Sequence, residues 1–65
     1  MLQLNKLYTH YKNQNKYLTI NFCKIQENDN WVDAIIYRPF EHSDGCEELF
    51  VRTQKEFLEK FTLLK

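Results

Sequence analysis

The hydrophobic and polar positions of the chain alternate most regularly in residues 17–25, YLTINFCKI. Leu18, Ile20 and Phe22 fall on one side of this alternation, whereas polar or small residues dominate the other side. A period of two residues is typical of a half-buried β-strand. Residues 31–39, WVDAIIYRP, repeat the pattern and end at a proline, which cannot donate a hydrogen bond within a sheet. The pattern therefore predicts two strands, with Leu18, Ile20 and Phe22 on a shared face.

Polar segments around these strands predict turns. Residues 12–16, KNQNK, and residues 26–30, QENDN, are rich in asparagine, which tolerates a positive φ and bonds to its own backbone. A first strand is predicted before the earlier turn, at residues 4–11, and a short fourth strand at residues 49–52. Residues 40–48, FEHSDGCEE, predict the loop that precedes this fourth strand.

The period changes after the fourth strand. Thr53 and Glu56 have the spacing of a helix capping box, in which the threonine oxygen accepts from the Glu56 amide and the Glu56 side chain reaches back to Thr53. Phe57 and Phe61 would then lie on one side of a short helix at residues 54–60. The final residues, FTLLK, predict a fifth strand. The order β-β-β-β-α-β with short links predicts a mainly β protein, either a small antiparallel barrel or a strongly curled sheet.

A chain of 65 residues has room for one domain, which we assign to residues 1–65. Aromatic residues make up 15% of the chain against one glycine and one proline, which is the composition of a folded protein. Trp31 is predicted to lie in the core or to form a half-buried cap on the hairpin. The predicted core contains Ile20, Phe22, Ile36, Phe57 and Phe61.

The net charge is zero, but the charges are unevenly distributed along the chain. Residues 1–24 hold four lysines and no acid, so they carry +4, and residues 25–65 hold five basic and nine acidic side chains, so they carry −4. Such a division steers a partner onto one face of a protein, or it is averaged out because the two segments interleave in space. The sequence leaves both interpretations open.

Two cysteines, Cys23 and Cys46, are fewer than a small secreted domain normally carries. We predict two reduced thiols, with a single bridge between them as the alternative. The N-terminal residues MLQLNKLYTH lack the apolar segment of a signal peptide, and no apolar run approaches the length of a membrane span. These features predict a cytoplasmic protein without a membrane partner.

Three segments, YTHYK, IIYRPF and LFVRTQKEFLEKF, resemble a bacterial domain of unknown function, number 1653, over residues 8–61. The sequence departs from the family pattern at Asn13, Phe50 and Thr53, where glycine, tryptophan and proline are usual. The resemblance implies an SH3-like β-barrel and carries no established activity. The matching positions are Tyr8, His10, Tyr11, Lys12, Tyr17, Tyr37, Arg38, Val51, Arg52, Glu56 and Phe57.

Metal binding and catalysis are poorly supported by the pattern of reactive residues. Of the histidines and cysteines, only His42 and Cys46 are close in sequence, and no Cys-x-x-Cys pair exists. The loop HSDGCEE, with its Asp44–Gly45 turn, offers His42, Ser43 and Cys46 without a rigid scaffold to orient them. A single glycine also excludes a phosphate-binding glycine-rich loop. We predict no metal site, no cofactor and no enzymatic activity.

The remaining interpretation is a binding module, with another protein as the expected partner. Tyrosine and arginine are frequent in the energetically important parts of interfaces. An alternative is single-stranded RNA or DNA, bound by the Tyr/Lys-rich N-terminal hairpin, although a sequence pI near 6.7 is low for a protein that binds phosphates. Homodimer formation through an edge strand is a further alternative. The candidate binding residues are Tyr8, His10, Tyr11, Lys12, Tyr37, Arg38 and Arg52.

These candidates also have purely structural interpretations. Tyr8, Tyr11 and Tyr17 would simply cover one end of a small barrel, with their hydroxyl groups in water. Arg38 and Arg52 would form ion pairs across neighbouring strands. Their candidate acidic partners are Asp33, Glu47 and Glu48.

Overall fold

Five antiparallel strands and one short helix make up the structure, a computed structural model that describes residues 2–41 and 48–64. The elements are β1 Leu7–His10, β2 Lys16–Glu27, β3 Asn30–Pro39, β4 Phe50–Thr53, α1 Gln54–Lys60 and β5 Phe61–Leu63. The strands lie in one sheet in the order β4-β3-β2-β1-β5. The predicted order of elements, the mainly β class and the short helix near the C-terminus are therefore confirmed.

The sheet is open in the part of the chain that the structure describes. Its outer strands are β4 and β5, and each pairs with a single neighbour, β4 with β3 and β5 with β1. A closed barrel would require these two strands to pair with each other. The prediction of an antiparallel barrel is thus not confirmed, and the coarser alternative, a single antiparallel sheet, describes the fold.

The turn between β2 and β3 needs only two residues. Asn28 and Asp29 both have a positive φ, 48° and 65°, and the flanking Glu27 and Asn30 pair with each other. Two successive residues in this conformation form a turn whose twist matches that of the adjoining strands. Both strands therefore extend further into the segment QENDN than the sequence pattern predicts.

A β-bulge in β2 changes which side chains face the core. Thr19 pairs with Tyr37, and Phe22 pairs with Ile35, with a register shift between Thr19 and Asn21. Since Ile35 and Tyr37 are two residues apart on β3, Thr19 and Phe22 lie on the same face of the sheet. An extra residue in one strand has this effect, because it reverses the alternation beyond the bulge.

The prediction that Leu18, Ile20 and Phe22 share one face is therefore wrong. The predicted core was also partly wrong: Ile20 and Ile36 are half-buried, and Phe22 is 44% exposed. Phe57 and Phe61 are buried as predicted, and their rings stack at 4.2 Å between centroids. The core consists of Leu2, Tyr8, Ile35, Tyr37, Phe57 and Phe61.

Trp31 lies outside the core, contrary to its prediction. Its side chain is 66% exposed near the β2–β3 turn, where it pairs with Gln26. This hairpin end lies at the opposite end of β3 from Tyr37.

A buried hydroxyl group helps to fix the N-terminal segment to the sheet. Thr19 is fully buried, and its Oγ1 donates to the carbonyl oxygen of Gln3 at 2.7 Å and accepts from the Lys6 amide at 3.3 Å. The Asn5 amide also donates to the Thr19 carbonyl, with Asn5 at a φ of 57°. This local path brings Leu2 onto the core.

The capping box at the start of α1 is half confirmed. The Glu56 amide donates to Thr53 Oγ1 at 3.1 Å, as the spacing predicts. The Glu56 carboxylate, however, accepts from Arg52 rather than reaching back to the Thr53 amide. The cap thus orients a carboxylate toward β4 and the candidate site.

Candidate binding site

An open pocket of about 220 Å³ lies at one end of the sheet, and we call it the aromatic pocket. Strand pairing assembles it, because His10 at the end of β1 pairs with Phe61 at the start of β5, and Tyr37 on β3 pairs with Phe50 on β4. Residues from distant parts of the sequence therefore meet at one place. The lining consists of His10, Asn13, Tyr17, Tyr37, Phe50, Arg52 and Phe61.

The floor of the aromatic pocket is a set of rings packed edge to face. The Tyr17 ring lies 5.8 Å from Tyr37 and 5.3 Å from Phe61, with interplanar angles of 77° and 88°. Tyr37 and Phe61 are themselves 5.3 Å apart. Each such pair contributes roughly 0.5–1.5 kcal/mol beyond its buried area. The floor is therefore apolar and closely packed.

Arg52 is held in a fixed position above this floor. Its Nε donates to the hydroxyl oxygen of Tyr37 at 2.8 Å, and its Nη1 donates to Glu56 Oε1 at 2.6 Å. The guanidinium carbon lies 5.7 Å from the centre of the Phe61 ring. Burial works against the charge, but the hydrogen bonds to Tyr37 and Glu56 outweigh it and raise the pKa of Arg52. The guanidinium is thus both charged and preorganised.

Tyr37 is almost completely buried, at 4% exposure, and its hydroxyl oxygen is the acceptor for Arg52. Burial, together with the nearby Tyr17 and Glu56 groups, raises the pKa of Tyr37 more than the hydrogen bond and the positive charge of Arg52 lower it. The hydroxyl group therefore keeps its proton at neutral pH. Tyr37 acts as a neutral support that fixes the direction of the arginine.

His10 is half-buried at the edge of the aromatic pocket and is neutral at pH 7. Its Nδ1 accepts from the Lys12 amide at 3.1 Å, so the ring proton is on Nε2. Desolvation lowers the pKa of His10, and the positive charges of Arg52, Lys60 and Lys12 lower it further. His10 was predicted as a binding residue, and its lowered pKa favours the neutral imidazole at pH 7, with one N–H donor at Nε2.

Tyr11 and Lys12 flank the aromatic pocket. The Tyr11 ring is 53% exposed and stacks on His10, with 5.0 Å between ring centroids. The ammonium groups of Lys12 and Lys60 each lie 5.8 Å from its centre. Two of the predicted residues, together with Lys60 of α1, thus form a cationic and aromatic rim.

Two predicted binding residues lie elsewhere. Tyr8 is 2% exposed, and its hydroxyl oxygen accepts from the Gln3 amide at 3.0 Å. Its ring is therefore part of the core and is not presented to a partner, which corrects its prediction as a surface residue. Arg38 follows Tyr37 on β3 and so points to the opposite face, where its Nη1 donates to the Pro39 carbonyl at 3.2 Å.

Of the seven candidates, the structure brings together His10, Tyr37 and Arg52, with Tyr11 and Lys12 beside them. Sequence reasoning missed four lining residues. Phe61 was taken only as a core residue and Phe50 only as a departure from the family pattern, because the cross-strand pairs that aim them at the pocket depend on the register. The other two are Asn13 and Tyr17.

The arginine ion pairs differ from those predicted. Arg52 pairs with Glu56, four residues later, and Asp33 pairs with Lys24 at 2.9 Å. The Lys24–Asp33 pair is largely exposed, so it contributes little to stability. Glu47 lies outside the described residues.

The reactive loop falls largely outside the described residues. His42, Ser43, Asp44, Gly45 and Cys46 are among the positions that the structure does not describe, so the predictions that involve them are not tested. Within residues 2–41 and 48–64, no group of His, Cys, Asp and Glu side chains could hold a metal ion. Cys23 is half-buried on β2.

A larger hollow of about 430 Å³ adjoins the aromatic pocket and shares Tyr17 with it. Its other lining residues come from the turn before β2 and from the end of β3, and they include the oppositely charged Lys16 and Glu41. Both charged groups are exposed, whereas Arg52 is only partly exposed and is held by two hydrogen bonds. We therefore treat this hollow as an extension and the aromatic pocket as the candidate site.

Comparison with known families agrees with the resemblance in the sequence. The family model described as a protein of unknown function, DUF1653, matches residues 6–63. The chain belongs to the DUF1653 family. The matched range includes every residue that lines the aromatic pocket of this DUF1653 chain. No curated protein and no solved structure matches the chain significantly. Across the described part of this DUF1653 chain, no helix has the length and apolar character needed to cross a membrane.

Proposed function

We propose that this chain is a small, non-catalytic module that binds another protein through the aromatic pocket. The observation that carries the proposal is the fixed position of Arg52 above an apolar floor of tyrosine and phenylalanine rings. Arginine and aromatic side chains that are already immobilised lose little entropy on binding and dominate the energetics of many interfaces.

The size and shape of the aromatic pocket suit an interface more than a reaction. About 220 Å³ of open space accommodates one side chain of a partner rather than an enclosed substrate. Among the residues lining it, no cysteine, serine or threonine lies beside His10 to act as a nucleophile. The rim formed by Tyr11, Lys12 and Lys60 supplies the polar border that surrounds the centre of an interface.

Single-stranded nucleic acid is the second candidate, supported by the exposed Tyr11 ring between two lysines. Base stacking needs accessible ring faces, but one face of the Tyr11 ring is covered by His10. The net charge of zero also provides little general attraction to phosphates. Protein is therefore the better supported partner.

Selection from a random peptide library on the immobilised chain tests the proposal. Peptides that bind should lose affinity by roughly tenfold or more when Phe50→Ala or His10→Ala removes part of the pocket. Trp31→Ala is the matched control, because it removes an even more exposed aromatic side chain at the far end of the sheet. Equal binding by the pocket variants and the parent, or loss of binding only in the Trp31 variant, would refute the proposal.

The nucleic-acid alternative is tested with a single-stranded oligonucleotide at low salt. If phosphate contacts dominate, binding weakens steeply as the salt concentration rises, and Lys12→Gln with Lys60→Gln reduces that dependence. We expect no such binding from the aromatic pocket. Strong, salt-dependent binding combined with no selected peptides would favour the alternative.

Three further features belong to the same proposal. A cytoplasmic location is consistent with the small number of cysteines. An SH3-like relationship is supported by the strand order, in which β1 pairs with both β2 and β5, and by the helix immediately before β5. Self-association is the competing use of the exposed edge strands, and light scattering after size exclusion should show a monomer if the partner is another protein.

A further inference from the structure

The charged groups that act on the aromatic pocket are mostly positive. Three cations, Arg52, Lys60 and Lys12, all lower the pKa of His10, and they come from β4, from α1 and from the turn after β1. The carboxylate that faces them, Glu56, is bound to Arg52 and has a half-exposed side chain. Among the described residues, the site therefore has an excess of positive charge and attracts an anion.

Arg52 has donors beyond those that its intramolecular bonds use. One donor at Nε goes to Tyr37 and one at Nη1 goes to Glu56. A guanidinium group has further N–H donors at Nη1 and Nη2, in a planar arrangement that fits the two oxygens of a carboxylate. Because Tyr37 and Glu56 already fix the plane, the remaining donors are oriented before any ligand arrives.

We propose that the aromatic pocket takes a carboxylate group of an acidic peptide segment in the partner protein, which binds to Arg52. The inference rests on the proposed function and adds the chemistry of the group that is recognised. The carboxylate oxygens accept from Arg52, and the His10 Nε2–H and the Asn13 amide are further donors in the lining. The apolar stem of the acidic residue packs on Tyr17 and Phe61.

A carboxylate fits the site better than a phosphate does. Arg52 is the one guanidinium among the lining residues, its charge is already partly balanced by Glu56, and His10 is neutral. This arrangement balances a single negative charge rather than two.

The carboxylate has two possible sources in a peptide, an Asp or Glu side chain and the free C-terminus. Peptides selected on the chain are therefore resynthesised in two series, one with each acid replaced by its amide and one with an amidated C-terminus. We expect one of these changes to weaken binding on the order of tenfold, which is the loss of one charge-assisted contact. The series that shows the loss identifies the source.

Arg52→Gln should abolish the difference between the acid and amide peptides, because it removes the charge that distinguishes them. Tyr37→Phe is the second variant, since it keeps the arginine and removes only one of the groups that orient it, and we expect a several-fold loss. Thermal melting establishes that each variant is folded. The Trp31→Ala protein should bind all peptides as the parent does.

The outcomes separate this inference from the proposed function. If peptides bind the pocket with the same affinity after acid-to-amide replacement and after C-terminal amidation, the inference is overturned and the proposed function remains. Failure to select any peptide would overturn both. Preferential binding of a phosphorylated oligonucleotide or inorganic phosphate, with no effect of Arg52→Gln on carboxylate peptides, would also overturn the inference.

Discussion

The Nε of Arg52 and the hydroxyl oxygen of Tyr37 are joined by a 2.8 Å hydrogen bond that links the edge strand β4 to the buried core. The bond serves both stability and recognition. It satisfies a phenol that is 4% exposed, and it sets the direction of the cation in the aromatic pocket.

Tyr37→Phe should lower the free energy of unfolding by about 1–2 kcal/mol, because the ring remains buried while a bond to a charged donor is lost. For a domain of this size, we expect a melting temperature roughly 4–8 °C lower per kcal/mol. Tyr11→Phe is the control, since that ring is more than half exposed, and it should change stability by less than about 0.5 kcal/mol. Equal effects of the two variants would show that the Arg52–Tyr37 bond contributes nothing.

His10 gives the protein a defined pH dependence. Its pKa in the folded state lies below its usual value of 6.5, because of desolvation and the nearby charges of Arg52, Lys60 and Lys12. The unfolded chain therefore binds the proton more readily than the folded protein does. The contribution of His10 to the free energy of unfolding is fully present above pH 6.5 and decreases as the pH falls from that value toward the pKa of the folded state. Protonation also removes the acceptor for the Lys12 amide.

An NMR titration of the His10 ring should give a midpoint below 6.5, and urea unfolding at about pH 8 and about pH 5 should show the loss of stability. His10→Gln should reduce this loss. Lys60→Gln should move the midpoint upward, because it removes one of the three cations that lower the pKa. A midpoint at or above the usual value would contradict this account.

Thr19→Val should lower the free energy of unfolding by about 1–3 kcal/mol, since it leaves the Gln3 carbonyl and the Lys6 amide without their partner. Thr19→Ser keeps the hydroxyl group and should retain most of the stability. Chemical denaturation of both variants measures the difference. We also expect faster amide exchange in residues 2–6 of the valine variant only, because this hydroxyl makes two of the hydrogen bonds that hold that segment.

Thr53→Ala should cost about 1 kcal/mol through loss of the helix cap, and more than the surface variant Asp33→Asn, which should change stability by less than about 0.5 kcal/mol. The Lys24–Asp33 pair has a similar hydrogen-bond length to the cap, but both of its side chains are hydrated. Thermal melting of the two variants compares the contacts. A larger effect of Asp33→Asn than of Thr53→Ala would contradict the expectation that this exposed ion pair contributes little to stability.

The single tryptophan reports directly on the hairpin. Trp31 is 66% exposed, so its fluorescence should be strongly quenched by acrylamide in the folded protein, and Trp31→Ala should change stability by less than about 0.5 kcal/mol. A buried indole would instead be protected from the quencher. That result, or a loss of several kcal/mol on substitution, would place the ring in the core.

Much of the fold was predictable because its signals are local. The helix at residues 54–60 follows from the spacing of Thr53 and Glu56, and the long hairpin follows from alternation on either side of a polar turn. The bulge after Thr19 was not predictable, because an inserted residue has no clear signature within a segment of alternating hydrophobic and polar residues. It reversed the faces of the following residues, so Phe22 lies on the opposite face of the sheet from Leu18 rather than on the same face.

The candidate site was predictable only in part, for the same reason. Tyr8, His10, Tyr37 and Arg52 have suitable chemistry in the sequence, but only the register shows that Tyr8 faces the core while His10 reaches the aromatic pocket. Phe50 and Phe61 join the site through pairs with Tyr37 and His10 across strands that are distant in the sequence. Residue type alone therefore identifies candidates and does not assemble them.

The pairing of His10 with Phe61 also constrains the order of folding. The β2–β3 hairpin is local and forms early, within microseconds in typical hairpins. The β1–β5 ladder pairs residues that are more than 50 positions apart, so it forms later, after the intervening chain has folded. The ladder has three residue pairs, so β5 is also a natural place for the first reversible detachment of the native state. Phe61 of β5 lines the aromatic pocket, so a partner bound there would stabilise the pairing of β5 with β1 and reduce the detachment of β5 from the sheet.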